Sequence, residues 1–402
     1  MKTQTKFKDT EIGKIPEDWE VKELQEEVDV NMGQSPKSEF YNESGEGYLF
    51  MQGVRTFGEK YPTFDTYTTQ ITKEAKAGSV LFSVRAPVGE VNITEKNLCI
   101  GRGLSALNMK NGNNEFLYYL LKKFKTQILK FETGSVFGAI NGTQIRGLKL
   151  PFPEETEQKA IAKILSDLDS KTELLQKQNK TLEAIGQAIF KHWFVDFEFP
   201  NEEGKPYKSS GGEMVLNEEL GKEIPKGWEV GNYKEIVSVS TGKGLKRGEF
   251  VDNGKYPVLG ANGELGRTDN YLFNERLILT GRVGTLGTVY LVNDKVWISD
   301  NVLISQPLSE ENYYFAYFTI KRFDFQSLNR GSTQPLITQT DLKNQDVIIP
   351  DSRILKEFHH IICSLFNKID SNKLQIQSLQ KIRDLLLPKL MSGKIRAPVE
   401  VE

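Results

Sequence analysis

Cysteine and histidine are almost absent from this 402-residue chain. Cys99 and Cys363 are the two thiols, far apart and without metal-type spacing. They are expected to be free thiols in a cytoplasmic protein rather than a disulfide framework. The three histidines, His192, His359 and His360, lie in strongly helical stretches, where a surface or flank position is expected before a metal site. No apolar run approaches membrane-spanning length, and the N-terminus MKTQTKFKDT lacks the apolar core of a signal peptide. No charge of one sign dominates. The net charge is −2, and between Asp196 and Glu223 eight acids face three bases, leaving +3 for the remainder. A nucleic-acid partner would therefore be met by local patches, not by a polybasic surface. There is no G-x-x-x-x-G-K-[ST] phosphate loop and no Asn-Pro-Pro-aromatic tetrapeptide, so neither an ATPase nor an adenine methyltransferase is evident. GRVGTLG (281–287) sits in a β-rich stretch and reads as a turn of φ > 0 glycines.

What is present is a repeat. Residues 154–193 read as one long helix: Ile161, Leu165, Leu168, Thr172, Leu175, Asn179, Leu182, Gly186 and Ile189 step by four and three, the seam of a coiled coil. Adding 197 to each reaches Phe358, Ile362, Leu365, Ile369, Asn372, Ile376, Leu379, Arg383 and Leu386, a second helix of matched length and phase. At about 1.5 Å per residue each spans roughly 60 Å. Pro153 and the acids of the first turn suit the start of the first helix. Upstream of the helices the landmarks also recur: IPEDWEV (15–21) with IPKGWEV (224–230), NMGQSPKSEF with STGKGLKRGEF, and VLFSVRAPVGEV with LILTGRVGTLGTV. NEFLYYLLKKFKTQI and NYYFAYFTIKRFDFQ are matched aromatic helices whose rings are expected in a core. Arg85 and Arg282 align at the same offset of 197.

Each half is thus a mixed, strand-rich unit followed by its helix: 1–153 and 154–195, then 217–350 and 351–392, with a tail 393–402. Segment 196–216, rich in Pro, Gly, Ser and charge, reads as a linker reaching at most about 70 Å. That reach favours antiparallel over parallel packing of the helices. The expected fold is α+β, with two units in pseudo-two-fold arrangement separated by an antiparallel coiled coil. Asn179 and Asn372 fall mid-seam, either as a buried register device or as solvated positions on a loose seam.

Two heads on a rigid spacer suit two half-sites of double-stranded DNA, or two protein partners. IPEDWEV and IPKGWEV, MGQSP, FSVRAPVGEV, CIGRG (99–103), Glu157–Gln158, IGQAIFKHWFVDFEFP and LLLPKLMSGKI, in duplicated order, resemble the specificity subunit of type I restriction–modification systems over essentially the whole chain. The resemblance implies two target-recognition domains that read a bipartite, asymmetric DNA site, with no chemistry in this chain. It implies docking of two methyltransferase subunits and of restriction subunits, and no membrane. S-adenosylmethionine, ATP and Mg are expected on those partners, and no cofactor or metal on this chain. One departure stands out: the second helix opens DSRILKEF without the Glu-Gln pair, so the two docking surfaces differ.

The repeated turns supply the DNA-binding candidates: Gln34, Lys37, Arg85, Arg102, Ser135 and Asn141 in the first head, and Lys243, Lys246, Arg247, Arg282, Ser332 and Gln334 in the second. For the strand-end arginines a structural ion pair is the competing reading. Leu165, Leu168, Leu175, Leu182, Ile362, Leu365, Ile369 and Leu379 are the coil and docking candidates. The alternatives are a duplicated protein-interaction scaffold or a stand-alone DNA-binding regulator. A methyltransferase with a divergent site is disfavoured by the missing motifs.

Overall fold

The computed structural model describes residues 5–131, 138–218, 220–331 and 334–398. The chain divides into two compact units, Met1–Leu175 with Leu374–Glu402, and Gln176–Lys373.

In the first unit a four-stranded antiparallel sheet runs in the order Val91–Ile93, Val80–Ser83, Leu104–Met109, Val28–Met32. A second sheet pairs Tyr48–Met51 in parallel with Leu98–Ile100. The strand VLFS is apolar almost throughout because both of its faces are covered. Val80 and Phe82 face the helix Asn114–Ile128, while Leu81 faces Met51, Leu98 and Ile100 of the second sheet. The helix is capped by Asn113, whose side chain accepts from the Phe116 N–H. It buries Phe116, Tyr118 and Tyr119 as core, each ring contributing about 1.5–3 kcal/mol of transfer free energy. The second unit repeats this plan. Its four-stranded sheet is Val237–Thr241, Val302–Pro307, Leu277–Gly281, Val289–Val292, and Tyr256–Gly260 runs parallel to Trp297–Ile298. Tyr313, Tyr314 and Phe315 of its helix Asn312–Ile320 are buried as well. Glu20–Glu23 with Lys149–Phe152, and Glu229–Asn232 with Asp346–Ile349, tie the start of each head to the strand before its long helix.

The long helices are Glu155–Phe194 and Ser352–Leu390. None of the nine seam positions of either is exposed. Within the first unit Ile161 and Leu165 pack with Leu386 and Leu390, Asp169 meets Arg383, and Glu157 meets Arg396. Residue numbers rise on one segment as they fall on the other, so the segments run antiparallel. The second unit repeats the pattern: Phe190 and Phe194 close on Phe358, and Asn372, fully buried, donates from Nδ2 to Gln178 Oε1 at 2.9 Å and Asn179 Oδ1 at 2.8 Å. A buried amide with partners at one height disfavours slipped registers.

Segment 196–216, linker-like in composition, is folded. Phe197 and Phe199 are buried, and the Phe199 ring lies 4.5 Å from Tyr207 and 4.8 Å from Trp228, both stacked. The equivalent cover in the first unit is the tail after Leu390. There Arg396 grips Asp18 and Glu157, and Trp19 Nε1 donates to Glu157 at 3.0 Å. Among the described residues no helix is long and apolar enough to cross a membrane.

Candidate nucleic-acid interface

The same crossing builds the turn after the first sheet strand of each head. A Cβ on Gly33 would sit 2.2 Å from the Gly101 carbonyl oxygen, and one on Gly242 would sit 2.2 Å from that of Ile298. Only glycine lets the backbones approach so closely. The next residues, Gln34 and Lys243, donate their N–H groups to Ile100 and Ile298 at 2.9 and 2.8 Å, so they occupy equivalent places. Both are exposed. Lys37 and Lys246 each precede a short 3-10 turn. Lys37 stands 3.7 Å from Glu39 with both side chains in solvent, a pair of little energy. Lys243, Lys246 and Arg247 are exposed, with no ion pair among the described residues.

In the first unit this turn borders a cleft of about 530 Å³. Ser35 Oγ donates to Gln52 Oε1 at 2.8 Å and accepts from the Arg102 backbone N–H at 3.1 Å. On another wall Arg55 holds Asp65 through two bonds of 2.7 Å. The Tyr41 and Phe50 rings stack at 4.6 Å among the lining residues. The Arg102 side chain is exposed and makes no ion pair among the described residues.

The two strand-end arginines are not equivalent. Val84 donates to Gly103 O and its own oxygen accepts from Ile140. Arg282 repeats both bonds with Asn301 and Ile337, and so stands in the place of Val84. Arg85 instead matches Val283, each forming the bridge to the following segment. The sheets are offset by 198 rather than 197, and this one-residue slip turns the arginines to opposite faces. Arg85 is exposed, whereas Arg282 is half-buried with its Nε enclosed and unpartnered among the described residues. The offset returns to 197 at the short helices Gly142–Arg146 and Gln339–Lys343. Asn141 caps the first of these, accepting from the Gln144 N–H at 3.0 Å, as Thr338 caps the second, so its oxygen is committed there. Gln334 is exposed beside Gly284. Ser135 and Ser332 lie outside the described residues.

Heads and helices are joined differently in the two units. In the first, Tyr119 donates to Asp169 at 2.5 Å, and Arg383 donates to Asp169 at 2.8 Å and to Glu59 at 2.7 Å. Burial, then the Asp169 charge, pushes the Tyr119 hydroxyl far above its ordinary value. In the second, aromatic rings replace most of this network, and Glu183 accepts from Tyr317 and Lys321, both at 2.7 Å. Burial pushes that carboxyl up, but the two donors outweigh it and hold it below 4.5.

The coil and docking candidates lie on the seam between the long helices. Leu165, Leu175, Ile362 and Ile369 are buried, and Leu168, Leu182, Leu365 and Leu379 are half-buried on the same seam. They line the seam of the coil. The exposed apolar residues of the helices lie off the seam: Leu174 and Ile185 on the first, Ile361, Leu374, Ile382 and Leu385 on the second. Leu374 and Leu385, eleven residues apart, share a face, a second stripe legible in the sequence. Among the described residues no group of three or more His, Cys, Asp or Glu is placed to hold a metal ion.

The family model for the type I restriction modification DNA specificity domain matches twice, over residues 16–184 and 225–381. The chain belongs to that family. A curated relative, the type I restriction enzyme MjaIX specificity subunit of Methanocaldococcus jannaschii, is 33% identical over 98% of this chain and 97% of its own. The putative MjaX specificity subunit of the same organism is 45% identical over 46% of this chain and 44% of its own. Among solved structures, a type I restriction–modification S subunit from M. genitalium covers 96% of this chain and 99% of its own, with a TM-score of 0.62 at 21% identity, a likeness of fold. As a specificity subunit the chain is the DNA-recognising member of its system.

Proposed function

We propose that the chain reads a split DNA sequence, one half-site per head, and docks methyltransferase subunits on the off-seam apolar faces of the long helices. Those subunits, with restriction subunits in the full assembly, would carry the adenine methylation and the ATP-driven cleavage, together with their S-adenosylmethionine, ATP and Mg. The work is cytoplasmic, where the genome is. The observation that carries this reading is that two heads share one backbone frame yet differ at the exposed positions around it, Gln34 against Lys243 and Arg102 against Asp300. Equal frames with unequal side chains are what reading two different half-sites requires.

The test is a genome-wide map of methylated adenines in cells with and without the gene. A split motif that vanishes with the gene supports the reading and yields both half-sites and their spacing. An unchanged methylome, with a chain that co-purifies no methyltransferase, would point to a scaffold instead.

A further inference from the structure

The frame fixes which side chains of the two heads stand in the same place. Gly101 donates to Met51 O at 2.8 Å, and Ser299 to Leu259 O at 2.9 Å. The residues following those two acceptors, Gln52 and Gly260, therefore correspond. Leu104 returns to Gly101 O and Val302 to Ser299 O, so Arg102 corresponds to Asp300. Ser35 corresponds to Gly244, two places after each crossing glycine. The first head thus carries a linked trio of Ser35, Gln52 and Arg102 where the second carries Gly244, Gly260 and Asp300.

The trio is organised before any ligand arrives. Ser35 uses its hydroxyl hydrogen on Gln52 Oε1, which fixes that amide's orientation, and takes the Arg102 N–H on its oxygen. Gln52 Oε1 keeps a second lone pair and Nε2 keeps its hydrogens, the acceptor–donor pair that matches the N6 and N7 edge of adenine. The Arg102 guanidinium, exposed and without an ion pair among the described residues, presents the fork that matches O6 and N7 of guanine. A phosphate could take the Nε2 hydrogens of Gln52 but has no donor for its fixed Oε1, so the acceptor is the half of the pair that only a base edge uses. The cleft's other guanidinium, Arg55, is spent on Asp65. In the second head the acceptor-only Asp300, also exposed, suits the N4 amino group of cytosine and repels phosphate.

We propose that Arg102 and Gln52, positioned by Ser35, are the base-reading pair of the first head, taking a guanine and an adenine through the major groove, and that Asp300 gives the second head a different preference. This rests on the reading of the chain as a specificity subunit.

The experiment uses the whole system in cells, with methylomes of wild type, Arg102→Ala, Gln52→Ala and Arg102→Gln, and binding of the assembled complex to duplexes altered one base pair at a time. The expected result is loss of discrimination at one base pair of one half-site per variant, roughly 5- to 160-fold, the equivalent of one bidentate base contact. The other half-site should be unchanged, and the salt dependence of binding retained. An unaltered motif in both alanine variants overturns the assignment, as does equal relaxation of both halves. So does a salt slope lowered by about 0.9 with preference intact, which marks a phosphate contact. If Arg102→Ala abolishes methylation, Arg102→Gln decides: a shift from guanine toward adenine supports the assignment, and retained guanine preference overturns it. A wild-type methylome with no gene-dependent split motif sinks the specificity reading itself, and the assignment with it.

Discussion

Replacing Asp169 by leucine would strip a buried guanidinium of its most enclosed partner. The Asp169 and Arg383 side chains are 7% and 13% exposed and meet at 2.8 Å. Breaking a buried ion pair from one side costs about 3–5 kcal/mol because the remaining charge is left uncompensated. Glu59, at 2.7 Å from Arg383, places this case at the low end. The Tyr119 hydroxyl, which donates to the same carboxylate, adds about 1–3 kcal/mol as an orphaned donor. The expected loss is about 4 kcal/mol, or roughly 8–16 °C in Tm for a unit of about 200 residues. Arg383→Met should cost a similar amount, since Asp169 would keep only Tyr119. The double variant Asp169→Leu/Arg383→Met removes both charges, and its cost should fall back to about that of the hydroxyl. Scanning calorimetry of the full chain reads all three, and those figures put the coupling between the two sites at about 5–7 kcal/mol. A single substitution shifting Tm by less than about 3 °C, or a double variant equal to the sum of the singles, would refute the argument that this junction depends on a desolvated pair.

Other outcomes follow from the same geometry. Because the Glu183 carboxyl is held below its ordinary 4.5, its stabilisation is complete above that value and is lost as pH falls through the depressed one. The Tm gap between wild type and Glu183→Gln should therefore shrink from about pH 6 to about pH 3, and a constant gap would contradict it. Lys246→Ala with Arg247→Ala should weaken DNA binding by the assembled complex and lower its salt slope by up to about 1.8, since each phosphate contact contributes about 0.9. An unchanged slope removes that turn from the interface. Leu374→Asp with Leu385→Asp, at positions 66% and 62% exposed, should leave Tm within about 2 °C while abolishing co-purification with the methyltransferase subunit. Retained co-purification places docking elsewhere.

The long helices, their seam and the duplication were legible in the chain because helical periodicity is local. Residues three and four apart share a face whatever lies beyond, so Ile161 to Ile189 and Phe358 to Leu386 announce a buried stripe. The aromatic helices were legible for the same reason, and the limited reach of the connection favoured an antiparallel run. The connection itself misled. Its composition is that of a linker, yet Phe197 and Phe199 are buried against Trp228, about thirty residues away in sequence. Nothing local marks a Phe that will find such a partner.

Two things were left to the tertiary structure. One is the pairing of Arg282 with Val84 instead of Arg85. Side chains alternate across a strand, so a one-residue slip hidden among glycine turns changes which face an arginine occupies without altering the motif. The other is the cleft. Ser35 meets Gln52 and Arg102 from 17 and 67 residues away because Gly33 lets its strand cross beneath the turn at Gly101. The sequence by itself determined that there are two like heads and two long helices, since repetition and periodicity are properties of the chain. Which polar groups share a cleft was decided by sheet register and close backbone approach, and those belong to the folded molecule.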